Sequence, residues 1–596
     1  MGVPWRQGRS IGLLSLGFGV WLGWGAAPGI AQPQLGGPFM EERPSDPSPQ
    51  RIAPDLRRYD ALRPYHLGIL SLPQTGVDPE WARMPIALTG VIGLPAGDGP
   101  VPWVILLHGR HGGCHFNVPG SSQWPCDDPP YDQGLAYLAQ GLVEAGFGVM
   151  VPNLNAAFSA TYGATPEQRN TLADQRSQAI IDAHLSRLAV AHRGEDPGFG
   201  ADLTAQLTGR VDWERLGMIG HSMGGGAAAL NALTRQERHP PEPIANGLGP
   251  VAALVLVAPT RSAPLAQWSA VYHLPDVPTA VLLGGCDRDI TDFSSLYYAE
   301  TAAQDPNRTT PVAVVMPLGA NHNFFNAAVR EDDYYRRPDH AALCNPQQSR
   351  QRLSRVAQEV WLTRYSQAFF TAAFAPPFPG ATVVAPPTNL GISAQQPAPA
   401  HIAQVPVITH LVWPQAQRND LLTAHPPSAT WDLTVRPTYT ASPQLGLTPC
   451  PAFAPCGNLP RPQPPFPDLL RIRWDTPTEW LRIPLPQGDG QAAIALQLRL
   501  AADPSPPSPS FAVVLRDRTG RAARVEIPPT TPALYRFEAP NRAAALPTYP
   551  TAIRIPVTQF QGVDFANLES LDLVFDTMPQ GTIYLASVEW LRAPPR

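Results

Sequence analysis

The chain has 596 residues, a formal net charge of −5, 15% charged residues and 44% hydrophobic residues. This balance lacks the basic footprint that a nucleic acid or an acidic lipid surface requires. All 43 basic residues are arginine, so chemistry that depends on an ε-amine, such as Schiff-base catalysis or Walker-A phosphate binding, is excluded.

Arg6 and Arg9 precede an apolar, glycine-broken run over 11–27, followed by Gly29, Ile30 and Ala31. A basic start, a short apolar stretch and small residues before a cut form the layout of a secretory signal peptide. Residues 1–31 are therefore expected to be removed on export, leaving 32–60 as an N-terminal extension. The apolar run falls short of the ~20 residues that a spanning helix needs, so no membrane span is expected after processing. In an exported chain the six cysteines read as bridges. Nearness in sequence favours Cys114 with Cys126 and Cys450 with Cys456, leaving Cys286 for Cys344.

From 61 to 374, short apolar runs alternate with longer helical segments, the pattern of an α/β domain. Strands are expected over 84–94, 103–107, 148–151, 216–219, 253–257, 279–283 and 312–316. Several are continuous apolar runs, as in strands covered on both faces. Helices are expected over 134–145, 167–191, 224–234 and 349–373. Residues 375–404 are rich in proline and poor in charge, and read as a semi-rigid linker. From 405 to 596 the pattern becomes short alternating runs between proline clusters. Strands over 469–474, 492–500, 511–515, 523–527, 552–555, 571–575 and 582–590 predict a β-sandwich. With no fixed-period repeat, neither a solenoid nor a propeller is expected.

The strongest chemical signal is Gly220-His221-Ser222-Met223-Gly224, set between the 216–219 strand and a helix of small residues. A serine on such a sharp turn is held in strained geometry with its hydroxyl presented, and the glycines avoid collision with neighbouring backbone. A serine hydroxyl is a weak nucleophile, so it needs a base and a group that orients the base. The loop after 312–316 supplies His322 as the base. The loop after 279–283 supplies Asp287 as the acid, with Asp289 as the alternative. The oxyanion of acyl transfer calls for main-chain donors, expected from Met223 and from Arg110 on the loop after 103–107. Phe324 and Phe325, beside the histidine, are candidate substrate-binding side chains. His108, His111 and His115 share a glycine loop with neither a rigid scaffold nor a nearby carboxylate, so no metal is expected there.

His108-Gly109-Arg110-His111-Gly112-Gly113-Cys114, Trp124-Pro125-Cys126, the 220–224 turn and the run from Gly319 to Asn326 together resemble secreted bacterial α/β-hydrolases of the lipase, cutinase and chlorophyllase-like serine esterases. The likeness covers about 61–374. It implies an α/β-hydrolase fold, a mostly parallel sheet flanked by helices, and cofactor-free hydrolysis of a carboxylic ester. Triad roles would fall on Ser222, His322 and Asp287 or Asp289. The substrate would be an ester in a small molecule, a lipid or a polymer. The run from Phe565 to Trp590 resembles, more weakly, jelly-roll modules of secreted glycan-active enzymes, which implies glycan or surface binding. Trp413, Trp431, Trp474 and Trp480 would be its stacking platforms, although aromatics in a sandwich are more often core. A peptidase or amidase of the same fold, or an adhesion protein that keeps the fold without catalysis, are the alternatives.

Overall fold

The computed structural model describes residues 55–73, 82–111, 126, 128–159, 165–237, 246–261, 271–336, 344–347, 349, 351–375, 389–424, 439–451, 456–459, 467–505, 507–536 and 549–593. The expected signal peptide, most of the extension, residues 376–388 of the linker, Cys114, His115 and Trp431 lie outside them.

The first strands in chain order are β1 (Leu62–Pro73), β2 (Arg83–Gly93), β3 (Val101–Leu107), β4 (Gly148–Pro152), β5 (Val211–His221), β6 (Ala253–Val257), β7 (Thr279–Leu282) and β8 (Val312–Pro317). They form a sheet in the order β1-β2-β4-β3-β5-β6-β7-β8. From β4 to β8 neighbours run parallel, while β1 and β2 are antiparallel additions at one edge. Every residue of β4, β6, β7 and β8 is buried, which is why these strands read as unbroken apolar runs. β1 was not expected from the sequence. It carries Pro64 and Gly68, its register shifts between His66 and Ile69, and half its side chains face water, so its apolar signal is diluted.

Helices α1 (Ala136–Glu144), α2 (Pro166–His192), α3 (Ala201–Leu207), α4 (Met223–Glu237), α5 (Tyr297–Gln304) and α6 (Arg355–Ala373) flank the sheet. Leu138 and Leu142 of α1 and Trp361 and Phe370 of α6 share one core with Val104, Val149 and Val255. Ile181 and Leu185 of α2, Ala228 of α4 and Tyr298 of α5 share another with Ile105, Met218 and Leu254. The sheet is thus covered on both faces. α6 starts at Arg355 rather than 349 because Ser354 caps it, its side chain accepting a hydrogen bond from Ala357 N.

The boundary expected at 404/405 cuts through this sheet. After β9 (His401–Ile402), strand β10 (Val405–Val412) pairs antiparallel with β8, from Val407 opposite Pro317 to Val412 opposite Val312. Leu390, Ile392 and Ala394, assigned to the linker, are buried in the same core. The cause is the open edge of β8: an apolar, β-branched segment that follows it in the chain covers that edge more favourably than it could sit in solvent.

The remaining strands are β11 (Arg418–Thr423), β12 (Thr440–Ala441), β13 (Gly446–Cys450), β14 (Leu469–Trp474), β15 (Glu479–Pro484), β16 (Ala493–Ala502), β17 (Phe511–Asp517), β18 (Ala522–Ile527), β19 (Thr551–Pro556), β20 (Leu568–Phe575) and β21 (Gly581–Arg592). They form two antiparallel sheets, β13-β14-β21-β16-β19 with β11 on β21, and β12-β15-β20-β17-β18. Trp474, Leu498 and Trp590 from the first pack with Leu481, Val513 and Phe575 from the second in one core.

This sandwich is joined to the α/β part by buried polar contacts. Gln497 on β16 stands opposite Arg554 on β19 and Glu589 on β21, and its amide donates to Leu411 O of β10 at 2.9 Å. Arg499, two residues on, pairs with Glu300 of α5 at 3.0 Å. Arg554 Nε donates to Gln396 O at 2.7 Å, and Trp413 Nε1 to Arg592 O at 3.0 Å. Cys286–Cys344 and Cys450–Cys456 are disulfides, and Cys126 is disulfide-bonded. Among the described residues no helix is long and apolar enough to cross a membrane.

Candidate active site

Parallel strands place their C-terminal ends along one edge, and the loops after β3, β5, β7 and β8 meet there. Ser222 sits between β5 and α4 with φ 55°, a left-handed conformation that costs a non-glycine residue ~1–3 kcal/mol. Backbone bonds hold it: Ser222 N donates to Val257 O at 2.8 Å, and Ser222 O accepts from Gly225 N at 2.9 Å and Thr260 N at 3.1 Å. The loop after β3 presses on this turn. A Cβ on Gly224 would stand 2.4 Å from His108 O, and one on Gly109 would stand 2.7 Å from Ser222 Cβ, so both positions need glycine.

His322 lies on the loop after β8. Its Nδ1 is 2.7 Å from Asp287 Oδ2, with the two side chains 1% and 2% exposed. Asp287 is fixed in turn, its Oδ1 accepting from Asp289 N at 2.9 Å and Ile290 N at 2.7 Å. The Cys286–Cys344 disulfide adjoins Asp287 and anchors this loop. The ring of His221, the residue before the serine, lies 4.7 Å from the ring of His322, so the β8 loop reaches the serine turn. Burial pulls the pKa of His322 down, but the charges of Asp287, Asp289 and Asp333 more than offset it and leave it at about 9. His221 moves the other way. Burial and the adjacent imidazoles hold its pKa well below the usual histidine value, so it stays neutral.

Asp333 was not singled out from the sequence, yet it organises the site's backbone. Its carboxylate accepts from His322 N at 3.2 Å, Asn323 N at 3.1 Å and Arg288 N at 2.8 Å. Burial first, then the nearby Asp287 charge, raises its pKa to about 6. The only sequence trace was an Asp332-Asp333 doublet after the histidine loop. Asp332 itself accepts from Asn321 Nδ2 at 2.9 Å and Arg352 Nη2 at 2.6 Å.

His108 Nε2 accepts from Leu154 N at 2.8 Å, so the proton sits on Nδ1 and is donated to Gly109 O at 2.9 Å. Burial lowers its pKa to about 4. Both of its nitrogens are thus committed to shaping the loop. Among the described residues no group of three or more His, Cys, Asp or Glu side chains is arranged to hold a metal. Met223 opens α4, so its N–H is one of those without an acceptor inside the helix. Arg110 is exposed and follows Gly109, which abuts Ser222. Phe324 and Phe325 are not placed as substrate-facing residues. Phe324 is buried under Arg355, whose guanidinium stands 4.4 Å from the ring centroid, and Phe325 is fully buried in the core beneath α1 and α6. The loop's short helical turn directs both rings into the protein.

Fold and site together define a mixed α/β chain with a β-rich C-terminal part. No family model and no curated protein matches the chain. Among solved structures it is similar to the thermophilic carboxylesterase EstE1 from a metagenomic library, at 17% identity and TM-score 0.27, covering 53% of this chain and 90% of that one. It is also similar to the hyperthermophilic esterase of the archaeon Pyrobaculum calidifontis, at 16% identity and TM-score 0.27, covering 52% and 87%. The family 11 carbohydrate-binding module of Clostridium thermocellum covers 26% of this chain and 88% of its own, at 10% identity and TM-score 0.18. Likenesses this weak carry no argument about activity, and the topology and site geometry stand by themselves.

Proposed function

We propose that the protein is an exported serine hydrolase that cleaves carboxylic esters through an acyl-enzyme. The observation that carries this reading is the buried His322–Asp287 pair, 2.7 Å apart, whose imidazole lies 4.7 Å from the ring of His221, the residue before a serine held at positive φ between strand and helix. Asp287 is the triad acid, because it occupies Nδ1; Nε2, which stands 3.5 Å from Asp289 Oδ2, is the nitrogen that would serve the nucleophile. Neutral His322 takes the Ser222 proton as the hydroxyl attacks the ester carbonyl. The N–H groups of Met223 and Arg110 receive the oxyanion, and His322 then protonates the departing alkoxide. Water repeats the cycle and frees the acid. An ester is favoured over an amide because its leaving group departs more readily. The basic, apolar start of the chain and the disulfides support export.

For the sandwich we favour a structural role. Trp474 stacks on Phe575 in the core at 4.5 Å, Trp413 is buried at the junction, and Arg482 lies 5.2 Å over Trp480. These surroundings are those of packing residues rather than of open glycan platforms.

A fluorophosphonate probe tests the nucleophile. The folded protein should label, and Ser222→Ala should abolish labelling and lower p-nitrophenyl ester turnover by ~10⁶-fold. Absence of labelling in the folded wild type would remove the enzyme reading, and faster turnover of p-nitroanilides than of matched esters would turn it into an amidase.

A further inference from the structure

The serine-hydrolase reading, on which this inference rests, uses one of the two aspartates beside His322 and leaves the other over. Asp289 Oδ2 lies 3.5 Å from His322 Nε2, the ring nitrogen opposite the one that Asp287 holds, and its side chain is 44% exposed. The local chain explains this. Asp287 accepts the N–H groups of Asp289 and Ile290, an Asx-type turn that folds the backbone tightly enough to bring the side chain two residues on back to the same ring. Each imidazole nitrogen therefore faces a carboxylate.

The geometry points to Asp289 as a gating residue that acts through His322: it holds the Nε2 proton in the resting site and sets the alkalinity at which the base becomes free. In the resting form the ring is an imidazolium, with Nδ1–H toward Asp287 and Nε2–H toward Asp289. Loss of the Nε2 proton to solvent leaves a neutral ring that keeps Nδ1–H on Asp287 and has a lone pair on Nε2 to receive the Ser222 proton. No other reactant is required. Asp289 is distinct from the triad acid because it contacts the reacting nitrogen and is open to water, so its charge is screened by salt.

Other titratable and charged groups among the described residues also surround this ring. From the β7 loop come Asp287 and Arg288, whose guanidinium lies near Asp287 and Asp333. From the 333 segment comes Asp333, bonded to His322 N. The serine turn presents neutral His221, with His111 6.3 Å beyond it, and His108 is committed to its loop. Arg352 is paired with Asp332. Of the carboxylates among the described residues that act on His322, Asp287 and Asp333 are buried and tied to backbone N–H groups, whereas the Asp289 side chain is 44% exposed, within direct reach of a substrate or a change of salt.

The test is a ¹³Cε1 NMR titration of the histidines in the full chain, with the His322 signal assigned through His322→Gln, and with the pH profile of fluorophosphonate labelling recorded alongside. The wild-type His322 midpoint is expected near 9. In Asp289→Asn it should fall by about one pH unit, and labelling near pH 7 should speed up by about tenfold, because each unit is tenfold in neutral imidazole. Asp289→Glu, which keeps the charge, should restore the wild-type midpoint. About 0.5 M KCl should lower the wild-type midpoint and barely move that of Asp289→Asn. Identical midpoints in wild type and Asp289→Asn would overturn the gate, even if Ser222 labels normally. A shifted midpoint in a protein that neither labels nor hydrolyses esters would sustain the gate's electrostatics and sink the esterase reading.

Discussion

The charge cluster around His322, buried apart from Asp289, and the buried one at the junction of the α/β part with the sandwich hold different kinds of base. Around His322, Asp287, Asp289 and Asp333 converge on a side chain whose pKa lies at about 9, so its proton can be moved at modest cost. At the junction, Arg499 meets Glu300 beneath Tyr549, and its guanidinium, 8% exposed on the side chain, stays charged at any working pH. The first arrangement suits turnover and the second suits registry. A buried ion pair fixes how two surfaces dock, and losing one partner leaves an uncompensated charge inside.

The sharpest way to break that contrast is Asp287→Asn. With the carboxylate gone, the Nδ1 proton loses its acceptor and the ring can adopt the wrong tautomer. Under the proposed mechanism kcat/KM on p-nitrophenyl acetate should fall by about 10⁴-fold while the protein remains folded. A loss of less than tenfold would mean that Asp289 or Asp333 carries the orienting role instead.

Much of this cluster could be read from the chain because its parts follow strands that are themselves conspicuous. The buried stretches of β5, β7 and β8 are apolar apart from His221 and Thr279, so the loops bearing Ser222, Asp287 and His322 could be placed by position after a strand. Asp333 could not. It acts on backbone N–H groups from a segment with no periodic signal, and only the folded path brings it to His322. β10 was misassigned for a related reason: an apolar strand does not encode which sheet edge it joins, and proline-rich sequence before it suggested a break where the chain packs on. β15 was missed because Glu479-Trp480-Leu481-Arg482-Ile483-Pro484 alternates on a strand flanked by turns, a weaker pattern than that of its partner β20. The junction was invisible because Gln497, Arg499, Arg554 and Glu589 look like solvent-facing residues until α5 and β10 cover them.

Glu300→Gln probes the other half of the comparison. It leaves Arg499 charged in a site without solvent, so the denaturation midpoint should correspond to a loss of about 3–5 kcal/mol. Glu300 lies outside the proposed machinery, and kcat/KM at a temperature where the variant is folded should match wild type. If activity fell in step with stability, the junction would be coupled to the site and the contrast between a static and a reactive cluster would fail.

The smallest effect is expected where the β3 loop meets the serine turn. Gly109 lies between Ser222 Cβ, 2.7 Å from where a methyl would be, and His221 O, 3.1 Å from it. Gly109→Ala must push either the loop or the serine turn aside by a fraction of an ångström. His221 and Ser222 belong to the same turn, so relief by moving the turn would carry the hydroxyl away from His322. A displacement approaching an ångström costs about 10²-fold in a positioned reaction, so a partial shift should slow acylation by about tenfold. The pH midpoint should not move, because neither Asp287 nor Asp289 is touched. Stopped-flow measurement of the acylation burst across pH separates the two terms: a lower plateau at an unchanged midpoint is the mark of a misplaced nucleophile, and a displaced midpoint would show that the loop after β3 also tunes the base.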